Sequence, residues 1–545
     1  MCAGLLLAIA SRTGAAGAQQ FTPEDAGRDM AAQRSIQARD YGDKARAAAR
    51  DLAQLRTREF VPSEIECRVR SGAATDVNLD CDHPFLPNNE PHVAVNPNDP
   101  QHVVASSNDF DSCCDEFYTT FDAGRTWTTG NMSSEDPGRI GSDPVTTFDP
   151  QTGRVIHASL NFKITNGLAD DGDLVVSLSD DGGITWGNPV VVSDGIGDDF
   201  APVQYFNDKP WIVTDYHPSS PHYGRTYMTW SRFFSRNGFY VESPIFESHS
   251  DDAGRNWSRP QEISGTSAAL CTFQVAGEAG RCDQDQYSIP TVGPDGTVYV
   301  AFLNSQHEAA WEEGEFGENQ YLVVRSTDGG EAWSDPVHVV DLEDGSRDYP
   351  FNVDGRRTLT GYQVRVNAAG NIDADPTSGK IYLTFADNRA GRRDVNQPVT
   401  DVNVYLMTSL DGATWSGPTV VSDEASDQWF PWLDVNPVNG SIGVLFHDRS
   451  TPLSPALYDN TLATGLPGSF RFETLSTQSS HPRASLFFQA GAPGCQRCAT
   501  FFGDYNSLDY GPDGAANAAW TDMRRFLDLG EISGYTENIF FRRLP

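Results

Sequence analysis

Basic residues are scarce. Lys and Arg together number 39 against 75 Asp and Glu in 545 residues, a formal charge of -36. A surface of that sign repels nucleic acid phosphates and anionic lipid, so neither is expected as a partner, and a soluble protein of a salty or extracellular setting is. Long apolar runs are missing too. Residues 2–10, Cys-Ala-Gly-Leu-Leu-Leu-Ala-Ile-Ala, are too short to span a bilayer. With Ala16-Gly17-Ala18 ahead of Gln19-Gln20 they read as a secretory signal over residues 1–18, cleaved on export, although a basic stretch before them is absent. No later segment reads as a membrane span. The motifs of several chemistries are also lacking. There is no Gly-x-Ser-x-Gly, phosphate loop or dinucleotide fingerprint. His92, His157 and His447 fall in separate strands without metal spacing, so no transition metal is assigned. No EF-hand run occurs, and acidic loops leave Ca2+ as the one cofactor open.

Cysteine is sparse but even in number once the signal carrying Cys2 is removed, leaving eight of the nine. An even count in an exported chain suits disulfides. Proximity in sequence suggests Cys67 with Cys81, Cys271 with Cys282, and Cys495 with Cys498. Cys113 and Cys114 are adjacent and either bridge each other or cross over to Cys495 and Cys498. A redox or zinc role for the Cys-x-x-Cys is the alternative, without a second pair or a thioredoxin-like pattern beside it.

What the chain does have is a short pattern repeated five times, Ser/Thr-x-Asp-x-Gly-x-Thr-Trp. Three copies are close: Thr120 to Trp127 with Asp122, Ser179 to Trp186 with Asp181, and Ser250 to Trp257 with Asp252. Ser326 to Trp333, with Asp328, has lost the Thr, and Ser409 to Trp415, with Asp411, is one residue short. Asp accepts hydrogen bonds from amides just ahead of it, Gly reaches backbone angles that other residues resist, and Trp offers a large flat surface to bury. Each copy is therefore expected to be a turn that fastens outer strands, away from any reacting centre. The pattern resembles the Asp-box, or BNR repeat, of the sialidase superfamily, which implies an all-β propeller.

A broader repeat surrounds the first. From about residue 88, seven units each carry an alternating apolar strand, a Pro-containing turn and a second strand. Successive turn prolines lie between 53 residues (Pro97 to Pro150) and 82 residues (Pro294 to Pro376) apart, which suits four-stranded blades. The resemblance implies six blades, whereas the count of units favours seven. Residues 19–59, rich in Ala, Arg, Asp and Gln, read as a helical leader, and 60–545 as the propeller. The seventh unit ends one strand short. A segment from Glu64 to Arg70 is expected to supply the missing outer strand, because an unpaired edge invites aggregation.

In a propeller, inner strands begin and second strands end at one face of the central channel, where ligands usually bind. Residues leading into the inner strands are Glu90, Asp143, Asp208 with Lys209, Asp285 with Gln286, Arg365, Asp427 with Gln428, and Asp504 with Tyr505. Those closing the second strands are Asp109, Arg232, Asn304, Asp387 with Arg389, Asp448 with Arg449, and Asp522 with Arg524. Carboxylates and arginines in one funnel suit a glycosidase acting on acidic or terminal sugars. The sialidase resemblance implies a substrate-binding arginine cluster, a Tyr nucleophile helped by a Glu, and an Asp acid/base. By position these fall on Arg389, Arg449 and Arg524, with Arg232 and Arg365 beside them, on Tyr505, and on Asp143 or Asp504. The Phe/Tyr-Arg-Ile-Pro signature is absent, and no Glu partner for Tyr505 can be named. The repeated Asp-Arg endings also suit ion pairs between blades, and Tyr505 suits burial with a satisfied hydroxyl. The reading is a secreted, monomeric, sialidase-like glycoside hydrolase binding a glycan or polysaccharide. Its rivals are a non-catalytic propeller that binds glycan or protein, and a polysaccharide lyase.

Overall fold

In the computed structural model, each of the seven units forms an antiparallel sheet whose first strand lies innermost. The structure describes residues 76–545 apart from 81–86, 111–113, 166–167, 198–202, 238, 274–277, 308–317, 351–356, 363, 395, 423, 425, 453, 455, 483–500 and 529–532. The signal and helical leader lie outside these residues, as do Cys67, Cys81, Cys113, Cys495 and Cys498. Among the described residues the regular elements are strands.

The inner strands are Asn88–Asn96, Ile140–Phe148, Val203–Thr214, Asp285–Val292, Ile372–Ala374, Gln428–Val435 and Ser507–Tyr510, one for each of blades one to seven. Each touches the next, and the seventh touches the first, so the ring is closed and seven-bladed. Blade three carries a fifth strand, Phe239–Glu242. The alternating apolar residues of the sheets meet those of neighbouring sheets, and the largest buried cluster runs through all but the first blade.

An inner strand is also a sheet edge, and its outward amides need acceptors. Side chains of the preceding blade supply them. Val93 N donates to Ser507 Oγ at 3.0 Å, Val95 N to Asp509 Oδ2 at 2.6 Å, Thr146 N to His92 Nδ1 at 3.2 Å and Leu433 N to Asn371 Oδ1 at 2.7 Å. Val435 N donates to Asp373 Oδ2 at 3.1 Å, and Tyr510 N to Asp434 Oδ2.

The five repeat turns add an outer set of fasteners. Asp122 Oδ1 accepts from Arg125 N at 2.9 Å and Thr126 N at 2.8 Å, and Oδ2 accepts from Thr126 Oγ1 at 2.8 Å. Asp181, Asp252, Asp328 and Asp411 accept from their own turns in the same way. The indoles of Trp127, Trp257 and Trp333 donate back to a turn carbonyl at 3.1 Å; Trp186 and Trp415 do not. Each turn leans on the preceding blade. Gly124 has φ +83, and a Cβ there would stand 2.6 Å from Phe541 Cε1 of blade seven, so glycine is required for angle and space alike.

Ring closure differs in place from the expectation. The outer strand of blade seven is Val77–Asn78, paired antiparallel with Phe541 and Phe540, and the Glu64 to Arg70 segment lies outside the described residues. Asp76 anchors the closure: its carboxylate takes Arg524 Nη1 at 2.6 Å and Thr477 Oγ1 at 2.7 Å. Leu79 is buried and its amide donates to Ile539 O at 2.8 Å. The sequence hid this strand because only two residues pair. The Cys271–Cys282 disulfide is present, spanning 5.3 Å between Cα atoms, and Cys114 is buried and disulfide-bonded.

Candidate functional site

Five inner strands share one irregularity at their entrance. Glu90, Asp143, Lys209, Tyr287 and Phe430 have φ between 51 and 58 degrees, and each sits where the strand register slips against its neighbour. Four of these residues precede a proline, which has no amide to give the ladder. A non-glycine residue at such angles costs on the order of 1 kcal/mol, and bulges re-aim side chains. Three of the five, Asp143, Lys209 and Tyr287, line one pocket at the face where the inner strands begin.

Asp208, Gln286, Arg365, Asp504 and Tyr505 join them there. A wall of Leu160, Phe162, Ala169, Phe206 and Phe233, from blades two and three, faces this polar group. Below, Trp211 and Trp432 meet with ring centroids 4.6 Å apart, and Tyr505 lies 5.2 Å from Trp211. Both indoles are buried, so an aromatic floor lies under the pocket.

Burial dominates the electrostatics. Asp143 is pushed up to about 7, first by desolvation and then by the charge of Asp208. Asp208 is pushed up to about 6 by desolvation and by Glu90 and Asp504. Glu90 is raised well above the usual carboxylate range, again first by desolvation, then by Asp143 and Asp504, and its carboxyl is hydrogen-bonded to that of Asp143. Asp504 is ion-paired to Arg365 at 2.6 Å, and its Oδ2 also accepts from Tyr287 Oη at 3.5 Å. The Lys209 ammonium lies 4.3 Å from the ring centroid of Trp211 and 4.5 Å from that of Tyr505, and burial lowers its pKa.

Among the residues expected from the sequence, Asp143, Asp504, Tyr505 and Arg365 come together in the pocket. Arg389, Arg449, Arg524 and Arg232 are not part of its lining. Arg389 grips Asp387 through Nε at 2.8 Å and Nη2 at 2.6 Å. Arg449 pairs with Asp427 and lies 3.8 Å from the Tyr362 ring centroid. Arg524 bridges Asp522 and Asp76, and Arg232 donates to Asn207 Oδ1 and Ser193 Oγ. The Asp-x-Arg spacing of residues 387–389 and 522–524 is the sequence signal for two of these pairs. The sequence carries no signal for the apolar wall, for Tyr287 or for the central place of Lys209; the wall comes from strand and loop positions that look like ordinary core.

Glu318, Glu343 and Asp348 bring carboxylate oxygens within metal-binding reach of one another. Arg393 already meets Glu343 at 2.8 Å and Asp348 at 3.1 Å, so this is an ion-pair cluster. No described helix is long and apolar enough to cross a membrane.

No protein-family model matches the chain, and no curated protein does. Solved structures do. A Hadza microbial sialidase is 15% identical with a TM-score of 0.41, over 68% of this chain and 65% of that one, so the chain spans less than two thirds of its length. A leech intramolecular trans-sialidase complexed with 2,7-anhydro-Neu5Ac is 14% identical with a TM-score of 0.41, over 75% and 70%. An alpha-L-arabinofuranosidase of Fusarium graminearum, in complex with an iminosugar inhibitor, is 11% identical with a TM-score of 0.44, over 72% and 97%.

Proposed function

We propose that this protein is an exported glycoside hydrolase that removes the terminal sugar of a glycan in the pocket of Asp143, Asp208 and Asp504. One observation carries the reading. Two carboxyl groups in different settings share a pocket: Asp143 is pushed up to about 7, and Asp504 is ion-paired with Arg365. Such a pair can hold a proton on one side and a negative charge on the other, as cleavage of a glycosidic bond requires.

In this reading the Asp143 carboxyl gives its proton to the glycosidic oxygen as the bond from that oxygen to the anomeric carbon breaks. Asp504 takes the proton of the attacking oxygen. The family resemblance implies a tyrosine as that attacker, and Tyr505 is the residue it falls on. Tyr287 Oη, hydrogen-bonded to Asp504, is its rival, and phenylalanine at each position separates the two. An aromatic floor beneath the pocket suits a chain end rather than the middle of a polysaccharide. A disulfide at Cys271–Cys282 agrees with an oxidising compartment.

The test is release of a chromophore from aryl glycosides by the purified protein. Asp143→Asn should lower turnover about 100-fold or more on glycosides with poor leaving groups, and much less on dinitrophenyl glycosides, whose departure needs no acid. Equal loss on both kinds of leaving group would remove Asp143 from the acid role.

A further inference from the structure

One charged group in the pocket has no part in the proton transfers above. Lys209 enters the inner strand of blade three at φ 51, retains 9% of its exposure and lines the pocket. Its Nζ has no hydrogen-bond partner among the described residues. The ring centroids of Trp211, Tyr505 and Tyr287 lie 4.3, 4.5 and 5.8 Å away. Ring faces stabilise a cation but do not replace three strong acceptors, and a buried ammonium without them is costly. A ligand seated in the pocket would provide those acceptors.

The surroundings bear on what kind of ligand. Glu90, Asp143, Asp208 and Asp504 all act electrostatically on Lys209. The other cation of the pocket lining, Arg365, is engaged by Asp504 at 2.6 Å. Arg389, Arg449 and Arg524, which would grip a sugar carboxylate, are engaged by Asp387, Asp427 and Asp522. Asp143, Asp208 and Asp504 line the pocket, so an anionic sugar would meet three carboxyl groups there, with Arg365 already ion-paired to Asp504 and only the Lys209 ammonium left to face it, on a chain of net charge -36. Hydroxyl oxygens accept from an ammonium and donate to carboxylates, which matches this set of partners.

We propose that Lys209 is a substrate-binding residue whose ammonium donates to hydroxyl oxygens of a neutral terminal sugar, so that the pocket selects uncharged glycans over sialosides and uronides. The inference rests on the reading of this pocket as a sugar site, but not on turnover.

Calorimetric titration of the purified protein tests it, with gluco-, galacto-, manno- and arabino-oligosaccharides as neutral probes and sialyllactose and oligogalacturonate as acidic ones. A neutral probe should bind at least about 10-fold more tightly than either acidic one, and K209M should weaken that binding by about 10-fold or more, the scale of one charged hydrogen bond. If K209M does not fold, protection of Lys209 from amine acylation by the neutral probe, and not by the acidic ones, reads the same contact in the wild-type protein. Tighter binding of an acidic probe, unchanged binding in K209M, absence of protection, or no binding from either set would overturn the proposal. Neutral binding that depends on Lys209 without product from any glycoside would uphold it and refute the hydrolase. Turnover with a KM indifferent to K209M would do the reverse.

Discussion

The indoles of Trp211 and Trp432, from the inner strands of blades three and six, meet with ring centroids 4.6 Å apart and planes inclined by 37 degrees. These blades stand nearly opposite each other in a ring of seven, so the two rings close the axis beneath the pocket. Both are buried, and Tyr505 and the Lys209 ammonium rest against Trp211. Trp211→Ala should therefore do two things. It should destabilise the fold by about 3–5 kcal/mol, the usual range for a large aromatic lost from a core. It should also remove much of the sugar affinity, because the lysine loses its support. Urea unfolding and calorimetric titration measure the two effects separately; a variant with native stability would show that the floor is not part of the core.

The pocket carboxyls give the activity a pH signature. If protonated Asp143 is the acid, activity falls as pH rises through about 7. The charge of Asp208 helps raise Asp143, so Asp208→Asn should move that alkaline limb to lower pH. The ammonium of Lys209 pulls Asp143 down, so K209M should move the limb the other way. Shifts of the same sign in both variants, read from kcat/KM against pH, would contradict the assignment of that limb to Asp143.

Ring closure through Val77–Asn78 should depend on Arg524. Arg524 is largely buried and holds Asp76 and Asp522 at 2.6 and 2.5 Å. Arg524→Ala leaves two enclosed carboxylates without their counter-ion, a change that costs about 3–5 kcal/mol in comparable buried pairs. Thermal melting should fall sharply in Arg524→Ala and on deletion of 76–80. Deletion of 60–72 should lower it less than deletion of 76–80, and the opposite ranking would restore the Glu64 to Arg70 strand.

Most of this architecture was legible because it repeats. Five Asp–Trp turns and seven Pro-closed strands recur at a blade's spacing, and the residues leading into each inner strand follow from that register. Of the residues leading into the inner strands, Asp143, Asp208, Lys209, Gln286, Arg365, Asp504 and Tyr505 line the pocket, and Glu90, Asp285, Asp427 and Gln428 do not. What register cannot convey is the partner of a side chain. Arg389, Arg449 and Arg524 stand at the correct end of their strands, yet each guanidinium folds back onto an aspartate. The phenylalanines at 162, 206 and 233 resemble ordinary strand residues until two blades bring them to one wall. Val77–Asn78 was too short to be read as a strand at all.

A second pH dependence belongs to the fold. Asp373, Asp434 and Asp509 each accept an amide of the next inner strand, and burial raises all three, with Asp509 pushed up to about 7. The folded form thus holds protons that the unfolded chain releases at lower pH. That contribution favours the fold in acid and is lost as pH rises through about 7. The melting temperature should decline between pH 5.5 and 8.5 (~3 pH units) in the wild type and decline less in Asp434→Asn, whose amide oxygen can still accept from Tyr510. A steeper decline in the variant would place the pH dependence elsewhere.

The hydrolase assignment is tested most directly by incubating the purified protein with a panel of neutral and acidic aryl glycosides and following aglycone release, with Asp143→Asn and Asp504→Asn alongside. Release from a neutral glycoside, falling about 100-fold or more in both variants while their melting temperatures stay near the wild type, is the expected result. Absence of release from every glycoside by a folded wild-type protein, or release that both variants retain, would contradict it.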